Sequence, residues 1–127
     1  MANLASTITG FVKGDHLDIV RTVTGIPAGQ VLAQAIFTVR AVNMSTIIFS
    51  KTITSTNSPT SGQITDTGAD GTGEVLFRLQ GGTTGDTVLL APGTAYPFDI
   101  QTKTDANKYY TPEVGTITST LEVTQVD

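Results

Sequence analysis

The chain has no cysteine and no tryptophan, and it has a single histidine. Without thiols there is no disulfide, no thiol nucleophile and no Cys-bearing metal site, so stability must come from packing and hydrogen bonds. Charge is scarce as well. Charged residues make up 14% of the sequence, against about 25% in ordinary globular domains. The seven Lys and Arg are scattered singly and the net charge is -4, so no basic stripe exists to neutralise a phosphate backbone, and nucleic acid is not an expected partner. No apolar run approaches the roughly 18 residues of a spanning helix. The opening "MANLASTITGFVKGD" has neither a charged start nor an apolar h-region, so the chain reads as soluble, with no secretion signal and no membrane partner.

Threonine fills the space that charge leaves, occurring 24 times in 127 residues. Its β-branch favours an extended backbone and its hydroxyl keeps one face wet, which points to an all-β chain. Period-two alternation is clearest in "VLAQAIFTVRAV", where Val31, Ala33, Ala35, Phe37, Val39 and Ala41 share one face and Leu32, Gln34, Ile36, Thr38 and Arg40 the other. That predicts a long strand with one dry face, and a neighbouring chain as cover for Leu32 and Ile36 on the mixed face. Shorter runs at 16–24, 47–54, 74–80, 96–104 and 115–126, with a weaker one at 8–12, are separated by Gly-, Pro-, Asn- and Asp-rich turns. The spacing predicts a single antiparallel β-sandwich, immunoglobulin-like, of about seven to eight strands over residues 1–127. Residues 1–10 read as an extended N-terminal arm, and 55–73, the least hydrophobic stretch, as a mobile loop.

Candidate chemistry is thin. "DTGADGTG", from Asp66 to Gly73, has the oxygen-rich look of a calcium loop, but Phe77 stands where an EF-hand needs its bidentate Glu, so a hairpin turn is the expectation. His16, between Asp15 and Asp18, lacks both a marked nucleophile and a second histidine for a metal. The glycines from Gly81 to Asp86 have neither the Lys nor the helix of a phosphate loop. No catalytic, cofactor-binding or metal residue is assigned, and no cofactor is expected. Two aromatic features stand out. Tyr96 follows the Pro92-Gly93 turn at the mouth of a strand, where immunoglobulin-like sandwiches use a Tyr hydroxyl to brace the preceding connection. Tyr109 and Tyr110, adjacent on the last hairpin, face opposite ways, leaving one of them free for a partner contact.

The order of local signals resembles a known family. "FVKGD" (11–15), "IFTVR" (36–40), "GEVLFRL" (73–79), "LAPGTAYPFDIQ" (90–101) and "GTITSTLEVTQ" (115–125) are similar to β-sandwich domains of tailed-bacteriophage virions, in particular the N-terminal domain of baseplate upper proteins and related immunoglobulin-like phage modules. In that family a Phe and a Gly-Asp open the domain, and a Tyr-x-Phe/Tyr-Asp-Ile-Gln strand leads into a closing strand that starts at Gly. The chain departs from the pattern in a longer stretch between Asn43 and Thr72, and in Ala106-Asn107-Lys108 where the family tends to have Asp-Gly. The resemblance implies a non-enzymatic virion structural protein, a capsid decoration or cement protein in many copies or as a homo-oligomer, with phage capsid or tail proteins as partners. A baseplate or tail adaptor is the alternative placement. A carbohydrate-binding adhesion module, with Tyr109, Tyr110 and the loop from Asp66 to Gly73 meeting a glycan, is the alternative from another class.

Overall fold

The computed structural model describes residues 4–121. Eight strands run in the order β1 (Leu4–Ile8), β2 (Leu17–Val23), β3 (Leu32–Arg40), β4 (Ile47–Ile53), β5 (Gly62–Asp66), β6 (Gly73–Leu79), β7 (Tyr96–Thr104) and β8 (Tyr109–Ile117), with a 3-10 turn at Thr87–Leu89. They form a large sheet in the order β1-β8-β7-β3-β4 and a small sheet in the order β2-β6-β5. All pairings between these strands are antiparallel except β1 with β8. This is an all-β, immunoglobulin-like sandwich: β2, β6 and β5 make one layer, and β3, β7 and β8 make the other, with β1 laid parallel to the last strand.

Phenylalanines fill the interior. Phe37 on β3 stacks on Phe98 of β7 with ring centroids 5.2 Å apart, lies 6.4 Å from Phe49 of β4, and meets Phe77 of the facing sheet at 5.6 Å. Val75, Leu79, Ile19 and Val23 complete the small sheet's inner surface, and Phe11, Ile26 and Leu90 close the ends from the connections. Truncating Phe37 would remove contacts to both layers at once, a loss of about 3–5 kcal/mol.

Several expectations need correction. The long strand is there, but its dry face begins with Leu32, only 2% exposed, while Ala33 is exposed and Val31 precedes the strand. A bulge against β7 between Leu32 and Gln34 shifts the alternation by one residue, so Leu32 enters the chain's own core rather than awaiting a neighbour. Residues 62–66, inside the expected mobile loop, form β5, which pairs with β6 from Gly62 opposite Phe77. The first strand lies earlier than the 8–12 run. Of the expected N-terminal arm, 4–8 is β1, paired with 113–117 of the same chain, and 1–3 lies outside the described residues. The last strand begins at Tyr109 rather than Gly115 and ends at Ile117. Residues 118–120 continue beside 8–13 through Thr118 N–H to Ile8 O at 2.9 Å, Thr120 N–H to Phe11 O at 3.0 Å and Lys13 N–H to Thr120 O at 2.9 Å; 122–126 lies outside the described residues.

Candidate functional site

The outward face of the large sheet carries a groove of about 360 Å³. Its floor is Asp99 and Pro97 of β7 and Val114, Gly115 and Thr116 of β8, and one wall is Thr38 and Arg40 of β3 together with Met44. Register places these side chains together: Thr38 stands opposite Asp99, and Asp99 opposite Val114. Gly115 lines the groove through its backbone. On the inner side a Cβ there would sit 2.0 Å from Ser6 O and 3.0 Å from the Phe98 ring, so glycine lets β1 and the buried Phe98 pack closely beneath the groove.

Met44 is held over the groove by its backbone. It lies in the turn between β3 and β4 with φ of 65°, a left-handed conformation that costs an ordinary side chain about 1–2 kcal/mol. The turn is fixed by Met44 N–H to Ala41 O at 2.8 Å, and Asn43 Oδ1 accepts from Ser45 N–H at 3.0 Å and Ser45 Oγ at 2.6 Å. Met44 is nevertheless 57% exposed, and Val42 and Ile47 beside it are 62% and 53% exposed. Three large apolar side chains on one hairpin form a patch of the sort that marks a contact surface. Within the groove, burial pushes the Asp99 carboxyl above its ordinary value, opposed by attraction to the Arg40 guanidinium. The arrangement is an apolar slot with one cation at its rim and one acid that resists ionising.

A second polar cluster lies on the open side of the sandwich, between β2 and β8. Arg21 Nε donates to Glu113 Oε1 at 2.8 Å and Ser6 Oγ donates to Glu113 Oε2 at 2.6 Å. The Arg21 guanidinium also donates to Val20 O at 3.0 Å. The cavity beside it is about 90 Å³ and includes Thr22, Ile100 and Pro112. With both carboxylate oxygens taken, its evident work is tying one sheet to the other.

The residues singled out from sequence are spread over the fold. Tyr96 opens β7, and its hydroxyl oxygen accepts the Ala91 N–H at 3.0 Å, closing the connection that comes over from β6. Tyr109 is 57% exposed, stands opposite Lys103 and has that ammonium 5.8 Å from its ring centroid. Tyr110 stands opposite the buried Thr102 and is half-buried. Lys103, opposite Tyr109, is four residues along β7 from Asp99, about 13 Å, and Tyr109 is not among the residues lining the groove. His16 is exposed just before β2. In the loop from Asp66 to Gly73, Asp66 Oδ1 accepts Gly68 N–H at 2.9 Å and Asp70 Oδ1 accepts Thr72 N–H at 3.2 Å, so both carboxylates serve their own turns. Among the described residues no group of three His, Asp or Glu is gathered for a metal ion. The loop from Gly81 to Asp86 is stitched down by Gly82 N–H to Gly14 O at 2.8 Å and by Asp86 Oδ2, which accepts Gln80 N–H at 2.8 Å.

Sequence reasoning missed Arg40, Met44, Asp99 and Val114 as a set, and it missed Glu113. The one local signal was Met44, a large apolar residue in the turn "VNMS". No protein-family model matches the chain, and no curated protein matches it.

Proposed function

We propose that the chain is a non-enzymatic structural subunit of a bacteriophage particle, a decoration or cement protein that docks in many copies through the outer face of its large sheet. The observation that carries the reading is the groove bounded by Met44, Arg40 and Val114, an exposed apolar slot on a rigid β-platform. The resemblance of "FVKGD", "LAPGTAYPFDIQ" and "GTITSTLEVTQ" to phage virion domains supplies the setting. A slot of this volume accepts one or two apolar side chains of a partner, and Arg40 gives a carboxylate beside them a place to pair. Each contact is small. Repetition over a lattice turns small contacts into firm attachment, because every bound neighbour raises the effective concentration of the next.

The test is to localise the chain on purified particles by image reconstruction or labelling, for wild type and for Met44→Asp with Val114→Asp. Regular density over the head, lost in the double variant, supports the reading. Density at the tail tip moves the subunit to the baseplate, and absence from particles removes the virion assignment. The exposed Tyr109 ring favours a second reading, glycan binding, which predicts saturable binding of an oligosaccharide that Tyr109→Ala abolishes.

A further inference from the structure

Asp99 sits on the floor of the groove with little to hold its charge. Among the described residues no hydrogen bond reaches its carboxyl and no ion pair includes it. Arg40 attracts it from the neighbouring strand. Thr38 is the residue opposite Asp99, and Arg40 is the next one along β3 on that face, a diagonal neighbour at about 7–8 Å. Arg40 makes no hydrogen bond among the described residues, whereas Arg21 and Arg78 both have acceptors. The other charges of the large sheet are engaged elsewhere. Lys51 of β4 pairs with Asp86, Glu113 of β8 pairs with Arg21, and Lys103 of β7 lies over the Tyr109 ring. β1 carries no charge. Every other residue lining the groove is uncharged, so one open guanidinium and one carboxyl make up its electrostatics.

We infer that docking in this groove is proton-coupled: the occupant is a partner segment that seats an apolar side chain between Met44 and Val114 and sets a carboxylate on Arg40, and Asp99 takes up a proton as the groove closes. The inference rests on the groove being the docking surface, and adds the partner's charge and the control by pH. Two effects act in one direction. An apolar side chain over the floor removes the water that Asp99 still meets, which disfavours the carboxylate form. A partner carboxylate fits the forked donors of the open guanidinium, and so offsets the one attraction that favours ionised Asp99. Burial already raises this carboxyl above 3.8 in the free chain, and the filled groove raises it further. The docked chain therefore binds the proton more tightly than the free chain. Docking is strongest below both values and weakens as pH rises through the docked one. A further rise of one unit makes the difference about tenfold. A basic side chain in the slot would reverse the sign, holding Asp99 ionised, but it would meet the charge of Arg40 with nothing to neutralise it.

The coupling is testable on the isolated chain and on particles. Carboxyl-carbon NMR follows the titration of Asp99 directly. Thr38→Leu lays an apolar side chain beside Asp99 where a partner's would come and is expected to raise its midpoint; an unmoved or lowered midpoint overturns the inference without reference to any particle. On purified particles, the copies retained near pH 5 and near pH 8 are counted for wild type and Asp99→Asn, every other titratable group being the same in the two chains. Wild type is expected to lose about tenfold in affinity between the two values relative to Asp99→Asn. Arg40→Met is expected to lower retention at both values, and full retention overturns the partner carboxylate. Equal pH responses of wild type and Asp99→Asn overturn the coupling and leave the virion reading in place. Wild type held better near pH 8 gives the slot a basic occupant and overturns it too. Chains that decorate particles at neither pH remove the virion reading itself, and the inference with it.

Discussion

Arg21 on β2 and Glu113 on β8 join the two sheets across the open side of the sandwich, at 2.8 Å, but they are not equally buried: the Arg21 side chain is 33% exposed and that of Glu113 only 4%. Removing either partner therefore has different consequences. Arg21→Met strands a carboxylate that water hardly reaches, leaving it only the Ser6 hydroxyl, and is expected to cost about 2–4 kcal/mol. Glu113→Gln leaves a guanidinium that can hydrate and a neutral amide in place, at about 1 kcal/mol. Urea denaturation of the two variants checks the order; equal losses would mean that the site opens to solvent as readily around Glu113 as around Arg21.

Tyr96 supplies the acceptor for Ala91 N–H at 3.0 Å. Tyr96→Phe keeps the ring's packing and removes only the oxygen. The lost bond is worth about 1 kcal/mol, since the Ala91 amide lies at an exposed residue and can take a water instead. For a chain of this size that corresponds to a fall in melting temperature of about 3–5 °C. Differential scanning calorimetry measures it, and no change in melting temperature would leave the hydroxyl without a structural role.

The strands with strong two-residue alternation and a flanking turn were legible in the sequence. Tyr96–Thr104 is found as read, with Phe98, Ile100, Thr102 and Thr104 inward. What local pattern could not carry was set by a partner strand. Gly62–Asp66 has just one large apolar residue, Ile64, and reads as loop; it is a strand because β6 offers an edge, and Gly62 permits it because a Cβ there would lie 1.9 Å from Leu76 O. The phase error at Leu32 has the same origin, since a bulge is defined only against β7. β8 extends further than its local pattern indicates, because Pro112 and the irregular register between Ile100 and Thr102 break its alternation. The groove is harder still to read in advance. Its members come from β3, β7, β8 and a turn, and nothing in any one segment announces that they converge.

Asp99 makes the stability of the fold depend on pH in a direction opposite to that of a salt-bridged acid. Burial raises its carboxyl above the ordinary 3.8, and the attraction of Arg40, the charged neighbour on β3, offsets this only in part. The folded chain thus holds this proton more tightly than the unfolded chain. The stability contributed by the neutral acid is complete below about pH 3.8 and is lost as pH rises through the higher, folded value. Asp99→Asn keeps a neutral side chain at every pH. It is expected to be more stable than wild type near pH 7 and indistinguishable near pH 3, as read by urea midpoints at the two values. A variant less stable at pH 7 would show that the Arg40 attraction outweighs the cost of burial.

Met44 offers a separation of stability from docking. Its φ of 65° is strained for a methionine, and its side chain, 57% exposed, contributes little to the core. Met44→Gly relieves the backbone strain but adds freedom to the unfolded chain, two effects of about 1 kcal/mol each with opposite sign. The melting temperature is therefore expected to stay near that of wild type. Attachment to particles should fall, because the wall of the groove facing Val114 is gone. Met44→Ala is the complementary control, retaining the strain while losing the same side chain, so it should dock as poorly as Met44→Gly yet melt earlier. Copy number per particle, measured beside the melting curve, separates the outcomes. Wild-type docking by both variants would remove Met44 from the contact, and wild-type docking by Met44→Ala alone would assign the turn's conformation, rather than its side chain, to the work of binding.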